Sequence, residues 1–314
     1  MTLHLGCSPW SPAALTDAEV LVAQARHAEA LGFDSFWLAE HHFDAQASPE
    51  PLMLLAAVAA ATARIRLATT SYLLPLRHPL QAAAQAAVLD RLSKGRLILG
   101  VGRGFAPELF AAYGIDPGGK RARFAECLAG MRAAWRGEPL SPGGARLSPL
   151  PVQQPHPPVW VAAFGPKALA QAGSLGLPYL ASPLETLAEL QRNHALHAEA
   201  CEAAGHALPA ERPLIRTVFV AEDPGIIDTV RERLVTRLAT LASRGGRLPR
   251  GLSDQVDDWA LIGTPARVRA QIAHYREVLG ITHLVATGLH IAPPEGAWET
   301  SLAHLVAIAR ESPA

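Results

Sequence analysis

The sequence predicts an α/β protein in which eight parallel strands, interleaved with helices, close into a (β/α)8 TIM barrel. Short apolar runs alternate with alanine- and leucine-rich helical patterns along the chain, which indicates a parallel sheet. There are eight such units, and this number favours closure over an open sheet. Because 314 residues with 49% hydrophobic content fit one barrel, residues 1–314 are predicted to form a single domain with loop insertions.

The eight predicted strands are apolar runs that end near glycine, proline or polar residues. In chain order they are residues 3–8, 34–40, 65–74, 96–102, 158–164, 177–182, 212–222 and 282–288. In such barrels the C-terminal ends of the strands form the rim where chemistry takes place.

Helical patterns fill the intervals between these strands. They cover residues 16–31, 49–63, 79–92, 121–135, 166–175, 184–204 and 227–241, a segment that starts at 265, and residues 299–310. Thr16 and Glu19 have capping-box spacing and are predicted to open the first helix. Residues 137–157 and 243–262 show no pattern of regular structure.

The composition is typical of an enzyme-sized cytoplasmic protein. The 28 basic and 28 acidic residues cancel, so no excess of positive charge favours nucleic acid or an anionic membrane. Cys7, Cys127 and Cys201 are too widely spaced to predict a disulfide framework or a zinc site. No secretory signal is visible, and no apolar run approaches the roughly 20 residues that span a bilayer.

The second predicted strand ends in three polar residues, Glu40, His41 and His42. Successive strand residues point to opposite faces, so the two histidines do not face the same side of a regular strand. Adjacent histidines rarely bind one ion, and H-x-H and H-E-x-x-H patterns are missing, so no metal site is predicted. One interpretation is a hydrogen-bonded pair at a loop edge. The position at a strand end favours the other, a histidine that transfers a proton.

The fourth strand ends in a glycine-rich turn, GVGRGF, over residues 100–105. Its glycines lack the G-x-G-x-x-G spacing of a dinucleotide fingerprint. The turn would let backbone N–H groups approach an anion, with the Arg103 guanidinium adding charge. The alternative is a tight turn with a solvated arginine.

Two other strand ends carry small residues. Thr70 and Ser71 leave room for a flat ligand against the backbone, or belong to an ordinary strand end. Gly165 and Pro166 begin a helix whose N–H groups can bind phosphate, with Lys167 nearby. The alternative there is an ordinary helix start.

These segments, in this order, resemble the bacterial luciferase-like family of flavin-dependent monooxygenases. The matching text is LGFDSFWLAEHHF, LLPLRHP, VLDRLSKGRLILGVGRG with YGID after it, PPVWVAAFGPKALAQAGSLGLP, and IGTPARV before LGITHLV. The resemblance covers nearly the whole chain, and the EHHF and D-x-x-SKGR blocks are specific. It implies a (β/α)8 barrel, in agreement with the count of strands.

The resemblance also implies roles at the rim. His41 matches the catalytic histidine beside the flavin ring, and His42 completes the motif in a supporting role. The Thr70–Ser71 bond matches a non-prolyl cis peptide under the ring, and Arg103 matches the arginine that binds the flavin phosphate. The implied cofactor-binding residues are Thr70, Ser71, Arg103, Gly104, Ala163, Gly165 and Lys167.

Three features depart from the family pattern. The loop after the fifth strand usually offers a serine to the phosphate. Here it has Phe164 and Gly165, so backbone N–H groups or Lys167 must substitute. The reactive cysteine of the luciferase α subunit corresponds to Gly102, and residues 243–262 are shorter than the luciferase mobile loop. Light emission is therefore not expected.

The implied function is an FMN-dependent monooxygenase with C4a-peroxyflavin chemistry. Reduced FMN from a separate NAD(P)H-dependent flavin reductase would react with O2 and oxygenate a small organic substrate such as an aldehyde. The alternatives are an oxidoreductase that uses the deazaflavin F420, and a non-catalytic flavin-binding protein. A barrel hydrolase is disfavoured because no carboxylate pair is visible at the strand ends. A homodimer is expected, with the apolar helices at residues 52–63 and 80–89 as its contact.

Overall fold

The structure, a computed structural model, describes residues 2–43, 47–243, 253, 255–288, 291 and 293–311. The strands in these ranges are β1 His4–Cys7, β2 Ser35–Leu38, β3 Arg66–Thr69, β4 Tyr72–Leu73, β5 Leu97–Gly102, β6 Val159–Ala162, β7 Tyr179–Leu180, β8 Pro213–Val220, β9 Ala260–Gly263 and β10 His283–Thr287. The helices are α1 Ala18–Leu31, α2 Pro51–Ala61, α3 Pro79–Leu92, α4 Pro107–Ala112, α5 Lys120–Trp135, α6 Pro166–Ser174, α7 Leu187–Ala203, α8 Pro224–Ser243, α9 Pro265–Leu279 and α10 Ala297–Glu311. None of these helices is long and apolar enough to cross a membrane.

The ladders between these strands are all parallel, which confirms an α/β fold built on a parallel sheet. The strands pair in the order β7, β6, β5, β3, β2, β1, β10, β8, β9, and β4 pairs with β5 beside this path. All eight predicted strands are present, and the first pairs with the last, β1 with β10. The sheet forms a half-barrel with its helices outside.

The buried Arg216 connects β8 to the segment that follows β7, the strand at one end of this pairing order. It lies on β8, and its Nη1 donates to the carbonyl oxygen of Ser182 (3.3 Å). Its Nη2 donates to the carbonyl oxygen of Glu185 (2.8 Å). Both acceptors follow β7 in the chain, so the segment after β7 lies against β8.

The inner face of the sheet carries a small apolar cluster to which seven strands each contribute one side chain. Its members are Trp37, Ala68, Ile98, Trp160, Leu180, Ile215 and Val285. Sequence neighbours such as Phe36, Leu67 and Val161 belong instead to the larger cluster that includes the helices. This is the alternation that strand geometry requires, and it defines an inner face with the tryptophans and an outer face under the helices.

The first helix begins at a different N-cap from the predicted one. The Asp17 carboxylate accepts hydrogen bonds from the N–H groups of Glu19 (2.8 Å) and Val20 (3.3 Å), and α1 starts at Ala18. The capping box predicted from Thr16 is therefore wrong. A carboxylate one residue further on takes the Glu19 N–H that Thr16 would have accepted from, and it also interacts favourably with the helix dipole.

Two regions hold more structure than the sequence predicts. Residues 65–74, predicted as one strand, contain β3 and β4, which pair with different parts of β5. Residues 243–262 were predicted without regular structure; 244–252 and 254 lie outside the described residues, and the described part contains most of β9, which pairs with β8. β9 has four buried residues, too few to show a period. The six-residue helix α4 is also missing from the prediction.

Residues 137–157, all described, contain no helix or strand, as predicted. The fully buried Asp90 of α3 anchors them: it accepts hydrogen bonds from the N–H groups of Val152 (2.8 Å) and Gln153 (2.9 Å) and from the Gln153 side-chain amide (2.7 Å). Nearby, Arg96 donates to carbonyl oxygens at the end of α2 and before β3. The D-x-x-SKGR block therefore fastens the connector and α2 to the sheet.

Asp90→Asn is expected to lower the free energy of unfolding by about 3 kcal/mol, because an amide cannot replace a buried carboxylate that accepts several hydrogen bonds. Urea denaturation followed by circular dichroism measures the change. The control is Glu126→Gln, which neutralises an exposed carboxylate on α5 and should change stability by less than about 0.5 kcal/mol. Equal stability of the two variants would contradict the anchoring role.

Candidate active site

The buried carboxylate of Glu40 joins three segments at the edge where the strands end, here termed the carboxyl edge. Its Oε1 accepts a hydrogen bond from Nη2 of Arg77 (2.9 Å) and lies 2.8 Å from Nε2 of His42. Its Oε2 accepts from the N–H of Leu73 (2.9 Å). Glu40 therefore ties the end of β2 to β4 and to the segment that precedes α3.

Arg77 balances this buried negative charge. Its Nη1 also contacts Glu50 at 2.5 Å, and its guanidinium lies over the Tyr72 ring, 4.7 Å from the centroid. Burial raises the pKa of Glu40, although Arg77 opposes the shift. Burial lowers the pKa of Arg77, but the combined effects of Glu40, Tyr72 and Glu50 outweigh it and raise the pKa overall. Two carboxylates thus flank one guanidinium, an arrangement that the sequence does not predict.

The two adjacent histidines have different surroundings. His42 is nearly buried between Glu40 and the edge of the Tyr113 ring, with 5.7 Å between ring centroids. The His41 side chain is exposed, and its backbone pairs with Ser48 through hydrogen bonds of 3.1 and 2.9 Å. This placement fits a supporting part for His42. No group of three His, Cys, Asp or Glu side chains in the described ranges is arranged to hold a metal ion.

The Thr70–Ser71 segment lies between the ends of β2 and β5. Its peptide bond is cis, as the resemblance predicts. The Thr70 N–H donates to the carbonyl oxygen of Leu38 at the end of β2 (2.8 Å). On the other side, a Cβ added to Gly102 would lie 2.0 Å from the Ser71 Oγ, so glycine is required for this close approach. The segment therefore brings the histidines and the β5 turn to one edge.

Arg103 extends from the end of β5 toward β6 and α6. Its Nη1 donates to Oε1 of Gln171 on α6 (3.0 Å), and its Nη2 donates to the carbonyl oxygen of Ala162 (3.4 Å). Burial, with repulsion from Arg121, lowers its pKa to about 10. The ion pairs among the described residues do not include Arg103. A half-buried cation with neutral partners would be stabilised by an anion.

The remaining predicted cofactor residues lie around this guanidinium. Gly104 has a φ of 68°, and its carbonyl oxygen accepts a hydrogen bond from Nζ of Lys120 (3.3 Å). Ala163 is buried next to the β6 carbonyl that Arg103 contacts. Gly165, with a φ of 80°, precedes α6, and a Cβ there would meet no atom within 4 Å. Lys167 is exposed in the first turn of α6. Two glycine turns and the start of α6 thus lie on the segments that Arg103 belongs to or contacts.

Sequence reasoning missed the residues that hold the predicted groups in place. Arg77 lies inside the LLPLRHP block, which is one of the segments that match the family, but the sequence does not assign a role to this arginine. Gln171 and Lys120 lie on helices and look like ordinary surface residues in the sequence. The contacts to Glu40, Arg103 and the β5 turn appear only when distant segments are brought together.

A second buried carboxyl group, Glu185, follows β7 at the same edge. It accepts hydrogen bonds from the Tyr179 hydroxyl (2.8 and 2.7 Å), the Ser182 N–H (2.7 Å) and the Asn193 amide (2.6 Å). Burial raises its pKa to about 7, although these bonds and Arg216 oppose the shift. The sequence does not indicate that Glu185 is buried, because the prediction places it in the first turn of a helix, where an acidic residue is common.

At its carboxyl edge the parallel sheet has a glycine turn, a histidine pair and an arginine that forms no ion pair with the described residues. This arrangement is typical of the class of α/β proteins whose ligands bind where the strands end. The sequence model of the luciferase-like monooxygenases matches residues 2–283 of this chain. The chain therefore belongs to the luciferase-like monooxygenase family, which confirms the resemblance seen in its sequence.

One relative whose name states an activity is the oxygenase component of a flavin-dependent trigonelline monooxygenase from Acinetobacter baylyi. It is 30% identical to this chain over 202 residues, which are 61% of this chain and 56% of that protein. An alkanal monooxygenase alpha chain from Photorhabdus luminescens is 29% identical over 209 residues, or 63% of this chain and 58% of that one. The chain spans about half the length of the curated relatives it matches.

Solved structures match over nearly the full length. A monooxygenase from Streptomyces bottropensis has a TM-score of 0.77 and 27% identity, covering 97% of this chain and 98% of that chain. The oxygenating constituent of 3,6-diketocamphane monooxygenase from Pseudomonas putida, in complex with FMN, has a TM-score of 0.82 and 24% identity, covering 99% of each. An F420-dependent tetrahydromethanopterin reductase from Methanopyrus kandleri has a TM-score of 0.73 and 18% identity, covering 98% of each. The last two show a shared fold alone.

Glu185→Gln is expected to remove part of the pH dependence of stability. The folded pKa of about 7 lies above the usual 4.5, so the folded state holds the proton more tightly. Glu185 therefore favours folding below about pH 4.5, and this contribution is lost as pH rises through about 7, a change on the order of 3 kcal/mol. Urea denaturation of wild type and variant across this range measures the difference.

The matched control for this experiment is Glu199→Gln, on the exposed face of the same helix, α7. It should leave the pH slope of the wild type unchanged. A Glu185→Gln variant with the same slope as the wild type would show that Glu185 does not titrate in this range.

Proposed function

We propose that this chain is an FMN-dependent monooxygenase that uses reduced flavin and O2 to oxygenate a small organic substrate, such as an aldehyde. The observation that carries the proposal is the half-buried Arg103 guanidinium, which contacts α6 and the end of β6 through neutral partners. Membership of the luciferase-like monooxygenase family supports it.

We also propose that residues 1–314 form one domain whose sheet closes into a (β/α)8 barrel, because Arg216 links β8 to the segment after β7.

The residues at the carboxyl edge fit FMN. Arg103 would pair with the flavin phosphate, because a dianion balances a buried cation through charge-assisted hydrogen bonds. The N-terminus of α6, where Gly165 leaves open space, would add favourable partial charge, and Lys167 would add a full one. The Thr70–Ser71 segment, packed against β5, would support the ring.

Reduced FMN, when bound, supplies the electrons that allow O2 to react with an organic molecule. The chain's part is to position the cofactor and substrate, to exclude water and to move protons. His41 would exchange a proton near neutral pH, the task for which an imidazole is suited. Its backbone is fixed by pairing with Ser48, and Glu40 before it is held by Arg77. The histidine is thus carried on a segment of defined position.

The proposal includes a flavin reductase as the source of reduced FMN, since the trigonelline relative is named as an oxygenase component. It also includes a homodimer formed through α2 and α3. Met53 on α2, and Leu80, Val88 and Leu92 on α3, are exposed apolar side chains that suit such a contact.

The cofactor choice is tested by titrating the protein with reduced FMN and with reduced F420 under anaerobic conditions. We expect tighter binding of reduced FMN, followed by a changed rate of flavin oxidation when O2 is added, measured by stopped-flow absorbance. Supply of an aldehyde with ¹⁸O2 should give a labelled acid by mass spectrometry. Tight binding of F420 without binding of FMN would contradict the proposal and favour the F420-dependent alternative.

His41→Gln separates catalysis from flavin binding in the same assay. We expect it to keep the affinity for reduced FMN and to lower substrate turnover by about 100-fold, the usual contribution of a general acid or base. Unchanged turnover would contradict the role of His41. Flavin binding by the wild type with no effect on the reaction with O2 would favour a non-catalytic flavin-binding protein.

Arg103→Gln is expected to weaken FMN binding by about 10- to 100-fold, the loss of charge-assisted hydrogen bonds to a phosphate. Riboflavin, which has the same ring without the phosphate, provides the control ligand. Its affinity should be nearly equal for wild type and variant in fluorescence titrations. An equal loss of affinity for FMN and riboflavin would show that Arg103 does not contact the phosphate.

A further inference from the structure

At the opposite edge of the sheet, where the strands begin, the structure has a cavity of about 570 Å³. Its wall is formed by the starts of β1, β2, β3 and β10, which are neighbours in the sheet, and by the ends of α1 and α10. Its lining residues belong to this amino edge and not to the site described above. The cavity therefore needs an explanation of its own.

Four polar side chains, one from each of these strands, lie on the inner face beside the cavity. They are His4, Ser35, Arg66 and His283. Each lies two residues before an inner-face position, so strand alternation places it on that face. Those positions are Gly6, Trp37, Ala68 and Val285.

These side chains are held in place while keeping donors available. The rings of His4 and His283 stack with 4.8 Å between centroids, and His283 meets the edge of Trp160 at 4.9 Å. The Ser35 hydroxyl accepts a hydrogen bond from an indole N–H (2.8 Å) and retains its own proton to donate. Arg66 is held through Nη2 by two neutral oxygens at 3.3 Å, and no described residue forms a hydrogen bond with its other nitrogens, which can therefore meet a ligand.

The two carboxylates near the cavity are already engaged. Glu29 accepts three backbone N–H bonds of 2.6 to 3.0 Å. Asp34 accepts a hydrogen bond from the Leu5 N–H at 2.7 Å, and its other oxygen lies 3.7 Å from Nδ1 of His4. Arg64 and Arg310 add positive charge to the lining. With Arg66, three guanidinium groups outnumber two carboxylates, so the cavity favours an anion.

We propose that this cavity binds a phosphate group, either free or as part of a small phosphate ester. Donors from four strands suit a tetrahedral group with three or four oxygens better than a planar carboxylate with two. Arg66 provides the charged contact, and the Ser35 hydroxyl and the two imidazoles provide the others. The volume leaves room beyond one phosphate for an organic remainder.

Binding becomes tighter as pH falls. Burial, with repulsion from His4 and Arg66, lowers the pKa of His283 to about 4, so its ring is neutral at pH 7. A bound oxyanion stabilises the protonated ring, so binding takes up a proton. The charged groups around the imidazole pair are Arg64, Arg66, Arg310, Glu29 and Asp34, with Asp90 and Glu211 acting on Arg66.

Sulfate is the first probe, because it is tetrahedral and keeps its double charge across the pH range. Calorimetry with the full flavin-free chain should show tighter sulfate binding at about pH 5.5 than at about pH 7.5. NMR of ¹³C-labelled histidines should show shifts at His4 and His283. His283→Asn should weaken binding by about tenfold or more, while His274→Asn, exposed on α9, should not.

Arg103→Gln changes the proposed flavin-phosphate site and leaves the lining of this cavity unchanged, so it separates the two sites. The assay contains no flavin, so its result does not depend on the proposed function. The variant should retain the pH-dependent sulfate binding. Titrations with inorganic phosphate and glycerol 3-phosphate then show which source binds more tightly. Sulfate binding that is lost in Arg103→Gln, or that is unchanged in both His4→Asn and His283→Asn, would overturn the assignment.

Discussion

The buried ion pair of Glu40 and Arg77 is the constraint on which the carboxyl edge depends. Two charges withdrawn from water are stable only together, because loss of one leaves the other uncompensated in a low-dielectric interior. The pair fixes the end of β2, the N–H of β4 and the segment before α3 in one arrangement. His41 follows Glu40 directly, and Ser71 lies two residues before Leu73, whose N–H donates to the Glu40 carboxylate. The relative position of these two groups therefore follows from one carboxylate.

The fold was largely predictable because buried apolar residues recur in the sequence with the period of a helix or as short strand-length runs. Every predicted strand is found, since each buried strand is an apolar run between turn residues. The errors occur where the outcome depends on competition or on a distant partner. Asp17 and Thr16 compete for the N–H of Glu19, and β9 is stable because β8 pairs with it. Neither fact is visible in local periodicity.

The grouping of the candidate residues at one edge of the sheet was predictable from the sequence, and their contacts were less so. Topology places every strand end at one edge, which is why Glu40, His41 and Arg103 could be selected from the sequence. The partners that hold them are far away in the chain: Arg77 is 37 residues from Glu40, and Gln171 is 68 residues from Arg103. The roles of His41 and of the cofactor-binding residues rest on the family resemblance, since spacing alone left the ordinary alternatives open.

The same strands carry different chemistry at their two ends, and β2 shows the division most clearly. Ser35 begins it at the amino edge, Trp37 lies in the inner apolar cluster, and Glu40 follows its end at the carboxyl edge. The Trp37 and Trp160 rings, 5.4 Å apart, belong to the layer between the two polar ends. A ligand bound at one end can change the affinity for a ligand at the other end only if the apolar layer between them has two arrangements that bind the ligands with different affinities. Close packing of seven strands' side chains favours one arrangement, so the two ends should bind their ligands independently.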